Sequence, residues 1–232
     1  MELCGITPEP EGGRGRHERA RYCPELDAST RTAATLILTI ATTGASGSVF
    51  LRETLRRVEA DQRVERVNFI ASDSGLRVIA EELGLSGRNN LVQQLLGTSS
   101  AKIQQLNNED IGANVASGSY PTDAMLVIPC SMGTLAKIAN GLADQLIERA
   151  ADVCLKEQRK LVLCVRETPL NKIHIRNMGL AADAGATIFP VVPAFYDQPQ
   201  TSEQMASQFV CRVLQHLGLS QDDMYRWKAG NS

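Results

Sequence analysis

Histidine, tryptophan and aromatic residues in general are scarce in this 232-residue chain, which has three His, one Trp and only 4% aromatic residues. Six cysteines are present, at Cys4, Cys23, Cys130, Cys154, Cys164 and Cys211, and no two of them form a CxxC pair. So few histidines and no paired cysteines leave a zinc site without a ligand set, and no metal is expected. No apolar run reaches the roughly 18 residues that a membrane span needs. The formal net charge is only -2, so no excess of either sign points to a nucleic acid or another polyanion. What remains is an ordinary globular composition, 43% hydrophobic and 22% charged, long enough for one α/β domain with a sizeable core. Several cysteines sit inside apolar runs, where a thiol behaves as a small hydrophobe. That usage fits a reducing compartment and predicts a cytoplasmic protein.

Residues 9–21 are rich in Gly, Arg and Glu and carry no apolar period. Residues 1–32 are therefore expected to form a disordered extension, with the folded domain over 33–232. The extension lacks the hydrophobic stretch of a secretory signal. Its acidic residues Glu9, Glu11, Glu18 and Glu25 speak against a transit peptide.

From residue 33 onward, apolar runs of strand length alternate with helical patterns. Strands are predicted at 35–42, 66–71, 124–129, 161–165 and 186–192, with a weaker one at 103–106. Helices are predicted over 49–60, 75–83, 134–140, 144–157, 172–184 and 202–217. Near-continuous apolar strands suit a sheet covered on both faces, and the alternation implies parallel strands joined by right-handed crossovers. The polar stretches 86–100 and 107–122 read as candidate functional loops. Ligands of such a sheet bind beyond the carboxyl ends of its strands, so the residues just after each strand are the informative ones.

Gly44-Ala45-Ser46-Gly47 follows the first strand and opens a helix. Glycine there permits close backbone approach, and the helix N-terminus favours an anion, although an ordinary βα turn reads the same way. The G-x-G-x-x-G spacing is missing, and Ser72 stands where a ribose-binding acid would close the second strand. This favours a mononucleotide over a dinucleotide. Ser72 is placed either to donate to a phosphate or to cap the next helix. Ser131-Met132-Gly133-Thr134 poses the same alternative after the fourth strand. Arg149 and Lys156 are seven apart and share a helix face, where the plain reading is a solvated surface with Glu148 and Asp152 pairing nearby. Arg166-Glu167 falls at a strand end, and Tyr196 and Arg212 add a phenol and a guanidinium. Cations converging on one cleft would bind a phosphate.

Several of these stretches resemble the UbiX-type flavin prenyltransferases. They are Ala116-Ser117-Gly118-Ser119, residues 129–156, Arg166-Glu167-Thr168-Pro169-Leu170, and Pro193-Ala194-Phe195-Tyr196 with Pro199-Gln200. The likeness spans residues 35–227. It implies a flavodoxin-like three-layer sandwich with a central parallel sheet, and an oligomer, usually a dodecamer. It also implies an enzyme that joins a dimethylallyl group from dimethylallyl phosphate to N5 and C6 of reduced FMN without a metal. The product would serve a UbiD-type decarboxylase.

By the same resemblance, Gly44, Ala45 and Ser46 match the first FMN loop, Ser72 the second-strand serine, and Ser131, Met132, Gly133 and Thr134 the third flavin contact. Arg166 matches an arginine between flavin and prenyl phosphate. Lys156, Glu167, Tyr196 and Arg212 match the groups around that phosphate. Glu82 and Ser46 match residues near flavin N5, Arg149 an arginine by the prenyl chain, and Trp227 a C-terminal aromatic that closes the site. The catalytic set this implies is Ser46, Glu82, Glu167, Arg149 and Lys156. Two positions depart from the pattern: Val165 stands where a proline is common, and Ile111 and its neighbours replace a tryptophan. Two other readings compete. A phosphopantothenoylcysteine-type FMN decarboxylase relies on a histidine in the loop before the fourth strand, and residues 107–122 contain none. A non-catalytic flavodoxin-like FMN carrier would have no use for the Lys156, Arg166, Glu167, Tyr196 and Arg212 set.

Overall fold

The computed structural model describes residues 35–85 and 90–226. The expected extension over 1–32 and Trp227 lie outside them. Six strands form one parallel sheet: β1 Leu36–Thr42, β2 Val64–Ala71, β3 Ile103–Asn107, β4 Ala124–Cys130, β5 Lys160–Val165 and β6 Thr187–Ile188. Their order is β3-β2-β1-β4-β5-β6. Without the edge strand β3 this is the five-stranded flavodoxin order, so the expected three-layer sandwich is present with one added strand. The order reverses between β1 and β4, and the crevice that opens there at the carboxyl ends is where such sheets take ligands.

The helices are α1 Ser48–Ala60, α2 Asp73–Leu83, α3 Leu91–Leu96, α4 Met132–Ala139, α5 Leu146–Lys156, α6 Lys172–Asp183 and α7 Ser202–His216. Alternate strand residues face opposite layers, as the pleat requires. Leu38, Ile40, Phe69, Leu126, Ile128, Val162 and Cys164 pack with α1, α2, α3 and α7. Ala41, Ile70, Met125, Val127, Leu161 and Leu163 pack with α4, α5 and α6. Both faces are thus dry, which is why β4 is buried along its whole length and reads as an unbroken apolar run. Cys130, Cys154, Cys164 and Cys211 are buried free thiols. Burial pushes Cys130 up to about 12 and Cys154 to about 11, so both are inert packing groups.

Two expectations are corrected. The stretch 86–100 is not all loop: α3 lies within it, because Leu91, Val92 and Leu95 reach the core. The sixth strand is much shorter than 186–192, since Pro190 and Pro193 have no amide to donate. Past Ile188 only single bonds continue it, from Phe189 N to Leu163 O at 2.9 Å and from Val191 N to Val165 O at 2.9 Å.

Candidate active site

The carboxyl ends of four adjacent strands are tied side by side. Ser72 N donates to Thr42 O at 3.0 Å, Thr43 N to Pro129 O at 3.1 Å, and Arg166 N to Cys130 O at 3.1 Å. Thr43 adds a second tie, accepting from Ser131 N at 2.7 Å on Oγ1 and donating to Pro129 O at 3.2 Å. These bonds bring the loops at Gly44, Ser72, Ser131 and Arg166 into one row at the switch point.

Local chemistry explains each loop. A Cβ on Gly44 would lie 2.5 Å from the Ser74 Cβ, so only glycine lets the first loop sit this close to α2. Gly47, with φ of 122°, turns the chain into α1 through a region that side chains disfavour. Ser72 accepts from Gly75 N at 3.0 Å and Ser131 from Thr134 N at 3.3 Å. Both serines therefore cap helices. Capping uses an acceptor lone pair; Ser131 Oγ donates its proton to Thr134 Oγ1 at 3.2 Å and Ser72 Oγ shares a bond with Ser74 Oγ at 3.1 Å, and a ligand oxygen that took either partner's place would receive a hydroxyl proton without disturbing the cap. The two roles left open for these serines are compatible.

No side chain within α1's own N-cap serves its first turn. Glu82 does so from the end of α2, accepting from Gly47 N at 3.1 and 3.0 Å and from Ser48 N at 2.7 Å. The anion that this helix N-terminus attracts is thus part of the protein. Burial works against ionisation of Glu82, yet bonds from Ser46 and from the Ser48 and Gly47 amides prevail and hold its carboxyl below the usual range.

The positive residues fall into separate groups. Arg166 and Glu167 are exposed at the end of β5; Glu167 accepts from Thr168 N at 2.9 Å, and Arg166 makes no ion pair among the described residues. Tyr196 and Arg212 line one cavity of about 500 Å³, together with Phe189, Phe209, Gln208 and Tyr225. Arg149 donates to Ala116 O at 3.2 Å and pairs with Asp152 at 2.7 Å. Lys156 pairs with Glu157, and Arg159 holds the loop above them through the carbonyls of Gly118 at 2.6 Å and Tyr120 at 2.9 Å. A Cβ on Gly118 would strike Glu157 and Lys156, so this glycine is what admits the ion pair. Glu148 departs from the expected solvated face. It is only 4% exposed, burial raises its carboxyl's pKa, and Lys137 lies 3.8 Å away.

A single chain does not gather all these charges. Leu146 N bonds Asn108 O at 2.8 Å, past the end of β3, so α5 starts at the carboxyl edge and runs back toward the start of β5. Lys156 therefore lies on the order of 20 Å from Arg166, the length of a six-residue strand. It also lies in the opposite layer from Arg212, which is on α7.

Known proteins share this fold and much of this sequence. A family model described as Flavoprotein matches residues 27–208. The flavin prenyltransferase UbiX of Pseudomonas aeruginosa is 40% identical over 196 residues, covering 82% of this chain and 93% of the relative. The crystal structure of AnUbiX (PadA1) in complex with FMN and dimethylallyl pyrophosphate superposes with a TM-score of 0.74 at 39% identity, over 83% of this chain and 97% of that one. The chain belongs to the UbiX flavin prenyltransferase family. A dodecameric FMN-dependent UbiX-like decarboxylase from Escherichia coli matches similarly, with a TM-score of 0.75 and 38% identity over 83% of this chain and all of that one.

Against that UbiX background, sequence reasoning missed the bonding roles of Thr43 and Arg159 and the capping role of Glu82. Their bonds join residues far apart in the chain, 35 positions in the case of Gly47 and Glu82, and no spacing rule reports them. The two described histidines, in contrast, are accounted for structurally. His174 completes a capping box with Asn171, and His216 contacts Thr187 Oγ1 at 3.1 Å.

The depressed pKa of Glu82 has a measurable consequence. A carboxyl lowered in the folded state adds stability above its unfolded value of 4.5, and the gain is lost as pH falls through the folded value. Glu82→Gln is expected to cost about 0.5–1 kcal/mol at neutral pH, typical of an exposed cap. The difference from the parent should shrink as the pH drops below about 4. Urea midpoints at the two pH values measure it, and an equal deficit at both would refute the charge-based account.

Proposed function

We infer that this protein transfers a dimethylallyl group from dimethylallyl phosphate to reduced FMN, giving a prenylated flavin cofactor for a UbiD-type decarboxylase. The observation that carries the reading is the pairing of two half-sites. One is a flavin-sized row of glycine, hydroxyl and amide groups at the switch point. The other is a set of cations and a phenol suited to a prenyl phosphate. FMN fits the first: Gly44 seats the loop tightly against α2, where a Cβ would strike Ser74, and Ser72, Ser131 and Thr134 bring hydroxyls to the neighbouring strand ends.

Reduced FMN supplies N5 and C6 as the two atoms that bond to the prenyl group. As the allylic C–O bond breaks, phosphate departs with the electron pair. Arg166, Lys156 and Arg212 stabilise the charge gathering on it, and Tyr196 donates a hydrogen bond. Glu167 stands next to Arg166 at the edge of the phosphate site, and Arg149 lines the path of the prenyl chain. Bonding at N5 would displace the N5 proton; ring closure would then add a proton to one alkene carbon and join the other to C6, and the C6 proton would pass to a base, either Glu82 or the departing phosphate. Ser46, which bonds Glu82, fixes the carboxylate toward the reacting end. The cations carry the phosphate charge, so this chemistry needs no metal.

The separation of Lys156 from Arg166 and Arg212 supports a homo-oligomer, a dodecamer by analogy with the Escherichia coli structure, in which neighbouring copies complete each site. Exposed Ile173, Ile175, Val192 and Phe195 supply apolar surface for such contacts. No described helix is long and apolar enough to cross a membrane, and a cytoplasmic location accords with the buried free thiols. The cysteine decarboxylase alternative lacks its loop histidine, and a flavin carrier leaves the Tyr196–Arg212 cavity without a role. Anaerobic incubation with reduced FMN and dimethylallyl phosphate, followed by mass spectrometry of the extracted flavin, tests the proposal. A flavin gaining one five-carbon unit supports it; unmodified flavin under conditions where a known family member works refutes it.

A further inference from the structure

Beyond α7 the chain turns at Gly218, with φ of 95°, and residues 219–225 fold back over α7 and α1. Arg57 on α1 is the centre of what holds them. Its Nη2 and Nη1 donate to the two carboxylate oxygens of Asp223 at 2.7 and 2.9 Å. Nη1 also reaches Gln221 Oε1 at 3.3 Å, Nη2 Ser207 Oγ at 2.8 Å, and Nε Glu53 Oε1 at 2.7 Å. The Arg57 side chain is only 14% exposed, and these bonds keep it fully charged. Asp223 is correspondingly held below the usual carboxylate range, chiefly by its bonds from Arg57. Gln208 adds a second tie: its Nε2 donates to Asp223 O at 3.1 Å, and its Oε1 accepts from Tyr225 N at 2.7 Å.

The outcome of this bonding is the placement of one side chain. Tyr225 lines the same cavity as Tyr196 and Arg212. That cavity's other lining includes Phe189 and Phe209, which meet edge to face at 5.5 Å. It therefore has an apolar floor, with the Tyr196 phenol, the Arg212 guanidinium and the Asp197 carboxylate among its lining, and Tyr225 belongs to a segment with no strand or helix of its own. The start of that segment is anchored separately, by Leu219 in the core, by Arg63 Nη2 donating to Ser220 O at 2.9 Å and by Gln221 Nε2 reaching Asp61 Oδ2 at 3.5 Å, while residues 223–225 are held by Arg57 and Gln208, with Cys211 Sγ 3.7 Å from Asp223 Oδ1.

We propose that the Arg57–Asp223 clamp positions Tyr225 as a wall of the cavity that takes the allylic phosphate. Arg57 and Asp223 are positioning residues for donor binding, and Tyr225 is the residue through which they act. The inference rests on the prenyltransferase reading of that cavity. It goes further by assigning donor affinity to a contact between α1 and the C-terminal segment, well away from the flavin loops.

The test is calorimetric titration of FMN-loaded protein with dimethylallyl phosphate, which needs no turnover. Arg57→Gln and Asp223→Asn are each expected to weaken donor binding about tenfold, in line with loss of a partly buried bidentate charge pair. The double variant should be no weaker than either single one, because both remove the same contact. Tyr225→Ala, which leaves the clamp intact, should reproduce the loss. FMN affinity should be unchanged in all four, and Arg57→Lys should recover part of the donor affinity. Chymotryptic cleavage after Tyr225 should quicken in the clamp variants, reporting release of the segment. Unchanged donor affinity in Asp223→Asn and Tyr225→Ala, both surface changes unable to abolish folding, overturns the proposal. If the parent binds the donor but transfers no prenyl group, the functional reading fails, and the clamp is still judged on the donor affinities alone.

Discussion

Arg166→Ala should slow prenyl transfer by about 10²–10³-fold, the loss typical of removing one preorganised donor from a developing oxyanion. Stability should stay within about 0.5 kcal/mol of the parent, as for surface substitutions that break no buried network. The two halves of this expectation follow from one geometry. The Arg166 amide is fixed to Cys130 O at 3.1 Å, which sets where the side chain leaves the sheet. The guanidinium itself is exposed and has no ion pair among the described residues, so its removal orphans no buried group. A charge held in place but uncompensated is available to an incoming phosphate. Lysine at this position should restore only part of the rate, since a point charge cannot donate two parallel bonds to phosphate. Rates of formation of prenylated flavin, measured by mass spectrometry beside urea midpoints, separate the effects. Full activity in Arg166→Ala would remove Arg166 from the phosphate site.

The sheet was legible because it is buried on both sides. Strands such as β4, with every residue buried, leave continuous apolar runs that no helix of the same length would need. Where burial is partial, the reading strained. Phe189 and Val191 pack against the core and look like strand, but Pro190 between them breaks the ladder. In α3, six residues are too few to show a period against polar flanks. Much of the site was legible too, since the parallel-sheet rule directs attention to the residues after each strand, and Gly44, Ser72, Ser131 and Arg166 do stand in one row. The capping of α1 by Glu82 was not legible, because a carboxylate at the end of one helix carries no mark of the helix it will serve. Nor was the division of the cations. Arg149, Lys156, Arg166 and Arg212 look equivalent as letters, and only the antiparallel run of α5 against β5 shows that Lys156 ends at the opposite edge of the sheet from Arg166.

That division leads to the second large effect. Lys156→Ala and Arg212→Ala should each reduce transfer by about 10²–10³-fold when assayed alone. Mixed during refolding or co-expression, the two inactive variants should regain activity, to about a quarter of the parent level. The fraction follows if each site draws its Lys156 from one copy and its Arg212 from another in a closed symmetric assembly. Half the copies keep each residue, so random assortment leaves about one site in four with both. Within a single chain the two residues lie in different helical layers, on α5 and α7, with the six-stranded sheet between them. No side-chain rotation closes that gap, whereas a neighbouring copy can present its own Lys156 at the edge where Arg212 sits. A site formed inside one chain would show no rescue at any mixing ratio. Rescue that rises and falls with the ratio, peaking at equal amounts, would require that the catalytic unit be an interface. The charges of one chain would then be two half-sites facing different neighbours, and dissociating the oligomer by dilution should abolish transfer while flavin still binds the switch-point loops.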